Sequence, residues 1–193
     1  MMKDQLLGVW KKFLINGLTL SRIPFSILFN IMLFDEKNRF WGCSLLFLLI
    51  ALTDFWDGRL ARYYGVETKI GAILDVGADF FFIFTASIFL YGQGLLPLGM
   101  LVIIGMKFAE FCLTSYLINK IQKKNRILFF DKIGRLLAVV LYFIPLATVL
   151  LDAFLHRRVL ENIMCCAMIT IGTLALISGY VRMRGILKPV RGC

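Results

Sequence analysis

The sequence predicts an all-α integral membrane protein of six transmembrane helices preceded by an interfacial amphipathic helix. Three observations carry that prediction. Of 193 residues 60% are hydrophobic, and the mean hydropathy of +0.81 lies outside the range of water-soluble domains. Apolar runs of about 20 residues, enough helix to cross a hydrocarbon core of roughly 30 Å, recur along the whole chain. Lysine and arginine concentrate in alternate loops, the asymmetry that orients membrane helices.

In order, residues 2–14 set Leu6, Leu7, Trp10, Phe13 and Leu14 against Lys3, Lys11 and Lys12 at helical spacing. That pattern suits a helix lying in the membrane interface over residues 1–15. The membrane domain is expected over 16–184 and a tail over 185–193. Its spans are placed at 18–34, 40–63, 71–92, 95–119, 134–155 and 159–181. Turn chemistry separates them: Asp35-Glu36-Lys37-Asn38, Tyr64-Gly65, Gly92-Gln93-Gly94 with Pro97, the charged stretch 120–126, and the turn around His156. The first span carries Asn16, Thr19 and Arg22, which suit either a ligand or capping and interfacial snorkelling. In the fourth, Lys107 and Glu110 are one helical turn apart and are expected to neutralise each other.

Lys3, Lys11, Lys12, Arg59, Arg62, Lys69, the 120–132 cluster and Arg182, Arg184, Lys188 and Arg191 fall on one side; Lys37, Arg39, Arg157 and Arg158 fall on the other. Both termini are therefore expected in the cytoplasm. The net charge of +10 is spread over the loops of one membrane face, which fits anionic lipid headgroups and not nucleic acid. No cleaved signal peptide is expected, because the Lys11-Lys12 pair interrupts the place of its apolar stretch. The five cysteines show no metal-ligand spacing, and the lone His156 reads as a loop residue.

Four aspartates break this apolar pattern. A carboxylate at the centre of a membrane helix costs about 2.5–3.5 kcal/mol even on the lenient insertion scale, so Asp54, Asp57, Asp75 and Asp79 need a counter-charge. At 3.6 residues per turn Asp54, Asp57, Gly58 and Ala61 share one stripe, and Gly71, Asp75 and Asp79 share another. If those faces oppose each other, four carboxylates converge, with Gly58, Ala61 and Gly71 leaving space beside them. Hard oxygen donors without histidine or cysteine suit Mg²⁺ or Mn²⁺, and two ions clamping a diphosphate match the charge of four carboxylates. Arg62 then has a phosphate to contact. A membrane cation carrier or proton-coupled transporter would also use aspartates, but would not require the glycine, alanine and arginine at those turns.

The pattern Asp54-x-x-Asp57-Gly58-x-x-Ala61-Arg62, then Gly71-x-x-x-Asp75-x-x-x-Asp79, resembles the signature of the CDP-alcohol phosphotransferase family at every position. The resemblance implies that Asp54 and Asp75 bridge two metal ions, that Asp57 binds one, and that Asp79 binds the other and acts as general base. It implies CDP-lipid contacts by Gly58, Ala61, Arg62, Thr68 and Gly71, and a nucleotide pocket lined by Asn16, Thr19 and Arg22. It further implies a cytoplasm-facing site, a homodimer, and transfer of a phosphatidyl group from CDP-diacylglycerol to an alcohol with release of CMP.

Within the family the Leu18-Thr19-Leu20-Ser21-Arg22 stretch is most similar to phosphatidylglycerophosphate synthases, whose acceptor is glycerol 3-phosphate. Lys107-Phe108 and Asp131-Lys132-Ile133-Gly134-Arg135 differ from that subfamily, leaving phosphatidylglycerol, inositol phosphate and serine open as acceptors. Lys132 and Arg135 suit a phosphorylated acceptor, and equally suit cytoplasmic anchoring.

Overall fold

The computed structural model describes residues 2–65, 68–122 and 132–187, with side chains over 16–65, 68, 70–117 and 133–184. Every regular element among them is a helix: α1 Met2–Met32, α2 Arg39–Tyr64, α3 Lys69–Gly92, α4 Leu98–Gln122, α5 Lys132–Phe154 and α6 Arg157–Leu187. Each of the six expected spans falls on one of these helices in order. Helices α2 to α6 are each long and apolar enough to cross a membrane. Large apolar side chains on them face outward, among them Trp41 at 75% exposure and Leu176 at 73%. In water such surfaces would drive aggregation; in a bilayer they meet acyl chains. The protein is a multi-pass integral membrane protein.

The chain divides into two compact units, residues 1–89 and 90–193. In the first, α1 is one unbroken helix of 31 residues. At about 1.5 Å per residue it exceeds a hydrocarbon core, so its N-terminal part extends beyond the core. The segment expected as a separate interfacial helix thus continues directly into the first span; its side chains lie outside the described residues. The turn after α1 closes on Asp35, whose carboxylate accepts from the amides of Lys37 (3.2 Å) and Asn38 (3.3 Å) and from Asn38 Nδ2 (2.9 Å). The α2 helix packs along α1 and ends at Gly65, in the left-handed conformation (φ 61°), whose amide reaches back to Ala61 and Arg62. Thr68 then starts α3: its hydroxyl accepts the Gly71 amide (2.9 Å) and its carbonyl the Ala72 amide (3.1 Å).

Phe29, Phe47, Ile50 and Phe82 form the apolar core of this unit, with Phe82 edge-on to Phe29 at 5.2 Å between ring centroids. Asn30 donates to Thr85 Oγ1 at 3.1 Å, a polar bond between α1 and α3.

In the second unit α6 packs against both α4 and α5. The chain enters this unit through a Schellman turn after α3, in which Gly94 (φ 70°) donates to Tyr91 (2.8 Å) and Leu95 to Leu90 (2.9 Å). Arg157 ties that turn to α6 by donating to the Gln93 carbonyl at 2.6 Å. Met100, Ile104, Leu141, Leu160 and Met164 supply the core. The expected Lys107–Glu110 pair is formed at 2.7 Å, and Lys107 also donates to the Ala175 carbonyl at 3.3 Å. Small Gly179 makes room for the Glu110 carboxylate on α6.

Candidate active site

The site belongs wholly to the first unit. Its residues come from three helices: Thr19 and Arg22 three apart on α1, Asp54 and Asp57 three apart on α2, Asp75 and Asp79 four apart on α3. Each spacing puts its pair on one helix face. The three faces meet.

At the meeting point lies the Arg22 guanidinium, fully buried at 0% exposure. Its Nη1 contacts Asp54 Oδ1 at 3.1 Å and Asp79 Oδ1 at 2.7 Å. Its Nη2 contacts Asp75 Oδ1 at 2.7 Å and, closer still, Asp57 Oδ2. Thr19 adds a neutral donor, Oγ1 to Asp57 Oδ2 at 2.8 Å. All four aspartates therefore converge, as the opposed stripes predict. The cation among them is Arg22.

One guanidinium among four carboxylates leaves the cluster strongly negative, and buried charge of one sign is unstable without further cation. Asp54, Asp57 and Asp75 offer oxygens all within 4.8 Å of one another. Carboxylate oxygens without nitrogen or sulfur ligands are the donor set of hard divalent ions. The residues fit a metal. Asp57 is buried at 4% exposure, while Asp54 and Asp75, each at 42%, open one side of the cluster.

The remaining candidates take distinct places. Asn16 reaches α3: a side chain on Gly71 would stand 3.4 Å from Asn16 Oδ1 and 3.0 Å from Thr68 Oγ1. Gly71 is therefore small because α1 and the Thr68 cap approach it. Arg62 is exposed in the last turn of α2, and a side chain added at Gly58 would lie 3.9 Å from its Nη2. Ala61 is half-buried on the same helix. Arg135 is exposed near the start of α5, in the other unit; the side chain of Lys132 lies outside the described residues. His156 is exposed and caps α6, its carbonyl accepting from Val159 (2.9 Å) and Leu160 (3.1 Å).

The sequence profile described as CDP-alcohol phosphatidyltransferase matches residues 13–178, which include α2 to α5 and most of α1 and α6. The chain belongs to the CDP-alcohol phosphatidyltransferase family. Three relatives share the name CDP-diacylglycerol–glycerol-3-phosphate 3-phosphatidyltransferase. The protein of Cereibacter sphaeroides is 39% identical over 71 residues, 36% of this chain and 32% of its own length. That of Rickettsia bellii is 39% identical over 66 residues, 33% of this chain and 36% of its own. That of Aquifex aeolicus is 29% identical over 126 residues, 65% of this chain and 55% of its own. The chain thus spans less than two thirds of each of these relatives. The CDP-alcohol phosphatidyltransferase family is metal-dependent, in keeping with the acidic cluster between α2 and α3.

Proposed function

We propose that this protein transfers the phosphatidyl group of CDP-diacylglycerol to glycerol 3-phosphate, releasing CMP and forming phosphatidylglycerophosphate for phospholipid synthesis. The observation that carries this reading is the convergence of Asp54, Asp57, Asp75 and Asp79, from two helices of a family member, on one partly open site. The names of the relatives support glycerol 3-phosphate as the acceptor.

In this mechanism Asp54, Asp57, Asp75 and Asp79 would hold the divalent metal, Mg²⁺ or Mn²⁺, through their carboxylate oxygens. When bound, the ions stabilise negative charge on the diphosphate and the leaving CMP. Thr19 fixes the Asp57 carboxylate through its 2.8 Å hydrogen bond, so that ligand is oriented before substrate arrives. Asp79, 30% exposed, gives one oxygen to Arg22 and takes the acceptor's hydroxyl proton on the other. The freed alcohol oxygen bonds to the phosphorus of the phosphatidyl group. The bond from that phosphorus to the bridging oxygen breaks, and CMP leaves with the electron pair.

Gly58 and Ala61 keep the α2 face low beside the aspartates, leaving room for the nucleotide. Exposed Arg62 and the Thr68 cap flank that space and contact the CDP-lipid, with Asn16 on its α1 side. The site faces the cytoplasm, where CMP and glycerol 3-phosphate exchange while acyl chains stay in the bilayer.

Purified protein in CDP-diacylglycerol vesicles with Mg²⁺ tests this reading against a panel of acceptors. CMP release is expected with glycerol 3-phosphate. Release only with serine, inositol phosphate or phosphatidylglycerol would replace the acceptor; cation flux with no CMP would replace the enzyme by a carrier.

A further inference from the structure

We infer that Arg22 is a tethered counter-ion that competes with divalent metal for the four aspartates. The inference rests on the proposed metal-binding role of the cluster.

Two nitrogens of one guanidinium engage an oxygen on every motif aspartate. The same carboxylates would ligate metal, and a fixed positive charge among them repels an incoming cation. Each carboxylate can turn a second oxygen to metal, but full coordination requires the guanidinium to yield some of its contacts. Arg22 is suited to yielding. Its Nε is buried and unmatched by any acceptor among the described residues, so charge holds the side chain there without a complete hydrogen-bond shell. Pro24, inside α1, removes the amide that would bond the Leu20 carbonyl and loosens the helix beside it.

Two consequences follow. Arg22 brings the carboxylates together by offsetting their repulsion, and it lowers the apparent metal affinity because only the yielded arrangement binds fully. A guanidinium released beside the site is then available to a diphosphate, the anion it recognises best.

The test is Mn²⁺ binding to chelator-treated full-length protein in detergent, followed by calorimetry and thermal unfolding without substrate. Arg22→Gln is expected to bind Mn²⁺ on the order of tenfold more tightly than the unsubstituted protein. It should also melt lower than that protein after chelation and recover more on adding Mn²⁺. Equal or weaker Mn²⁺ binding by Arg22→Gln overturns the proposal.

Should that variant fail to fold, Arg22→Lys, which keeps the charge on a single nitrogen, should still bind Mn²⁺ several-fold more tightly. Phenylglyoxal labelling of the unsubstituted protein gives an independent reading. Modification of the peptide carrying Arg22 should rise on adding Mn²⁺, and an unchanged or reduced yield contradicts displacement. If the unsubstituted protein and Asp75→Asn alike bind no Mn²⁺, the metal reading itself fails.

Discussion

Thr19 donates to an aspartate that Arg22 also holds, both inside the apolar part of a helix. A hydrogen bond to a charged acceptor contributes about 1.5–3 kcal/mol, so Thr19→Val should lower stability by about 2 kcal/mol in denaturant melts while Thr19→Ser retains most of it. Equal stability of the two variants would show that the hydroxyl does not hold Asp57. Outside the membrane, Asp35 is held below the usual carboxylate range, first by the Asn38 side-chain amide and then by the Asn38 backbone. Its folded pKa lies below its unfolded one, so its contribution is present above about pH 4 and is lost as pH falls through the folded value. Asp35→Asn should remove that acid dependence, measured as the slope of melting temperature against pH. The aspartates were legible because charge in an apolar helix is costly and their spacing fixes a face. Arg22 at their centre was not: spacing on α1 shows which residues share a face, but not which face of α2 or α3 it meets.

The joint between α2 and α3 sets the register of the two acidic stripes. Gly65 holds a left-handed conformation that costs other residues about 1–2 kcal/mol, so Gly65→Ala should destabilise by about 1 kcal/mol in the same melts. Gly71→Val should lower CMP release more than Gly77→Val, because a side chain at Gly71 meets Thr68 and Asn16 whereas one at Gly77 meets nothing within 4 Å. Equal loss at the two positions would separate the Gly71 approach from function. These turns were legible from their glycines and from the residues that cap helices. The join between the interfacial segment and the first span was not. Both halves of α1 have the same helical period, and Gly17 alone does not break it.

Across the whole molecule, the basic loops give the orientation expectation its force. Phosphatase and fluorescent-protein fusions at either terminus should report the cytoplasm, and an active phosphatase at either end would reverse the assignment. Six helices were readable because the bilayer demands long apolar runs with satisfied backbones. The Lys107–Glu110 pair was readable for a similar reason, since two opposite charges one turn apart inside a membrane have each other as nearest partner. An acceptor role for Arg135 and Lys132 was not, because such charges answer to membrane orientation and to ligands alike.

The proposed function makes the four aspartates the reaction centre of a phosphatidyl transfer. Its most direct test is the rate of CMP release from CDP-diacylglycerol vesicles with glycerol 3-phosphate and Mg²⁺, measured side by side for the unsubstituted protein and Asp75→Asn. Sustained release is expected from the first and at least about a hundredfold less from the second, the scale of losing a main electrostatic contribution to a transition state. Near-normal turnover by Asp75→Asn would contradict it.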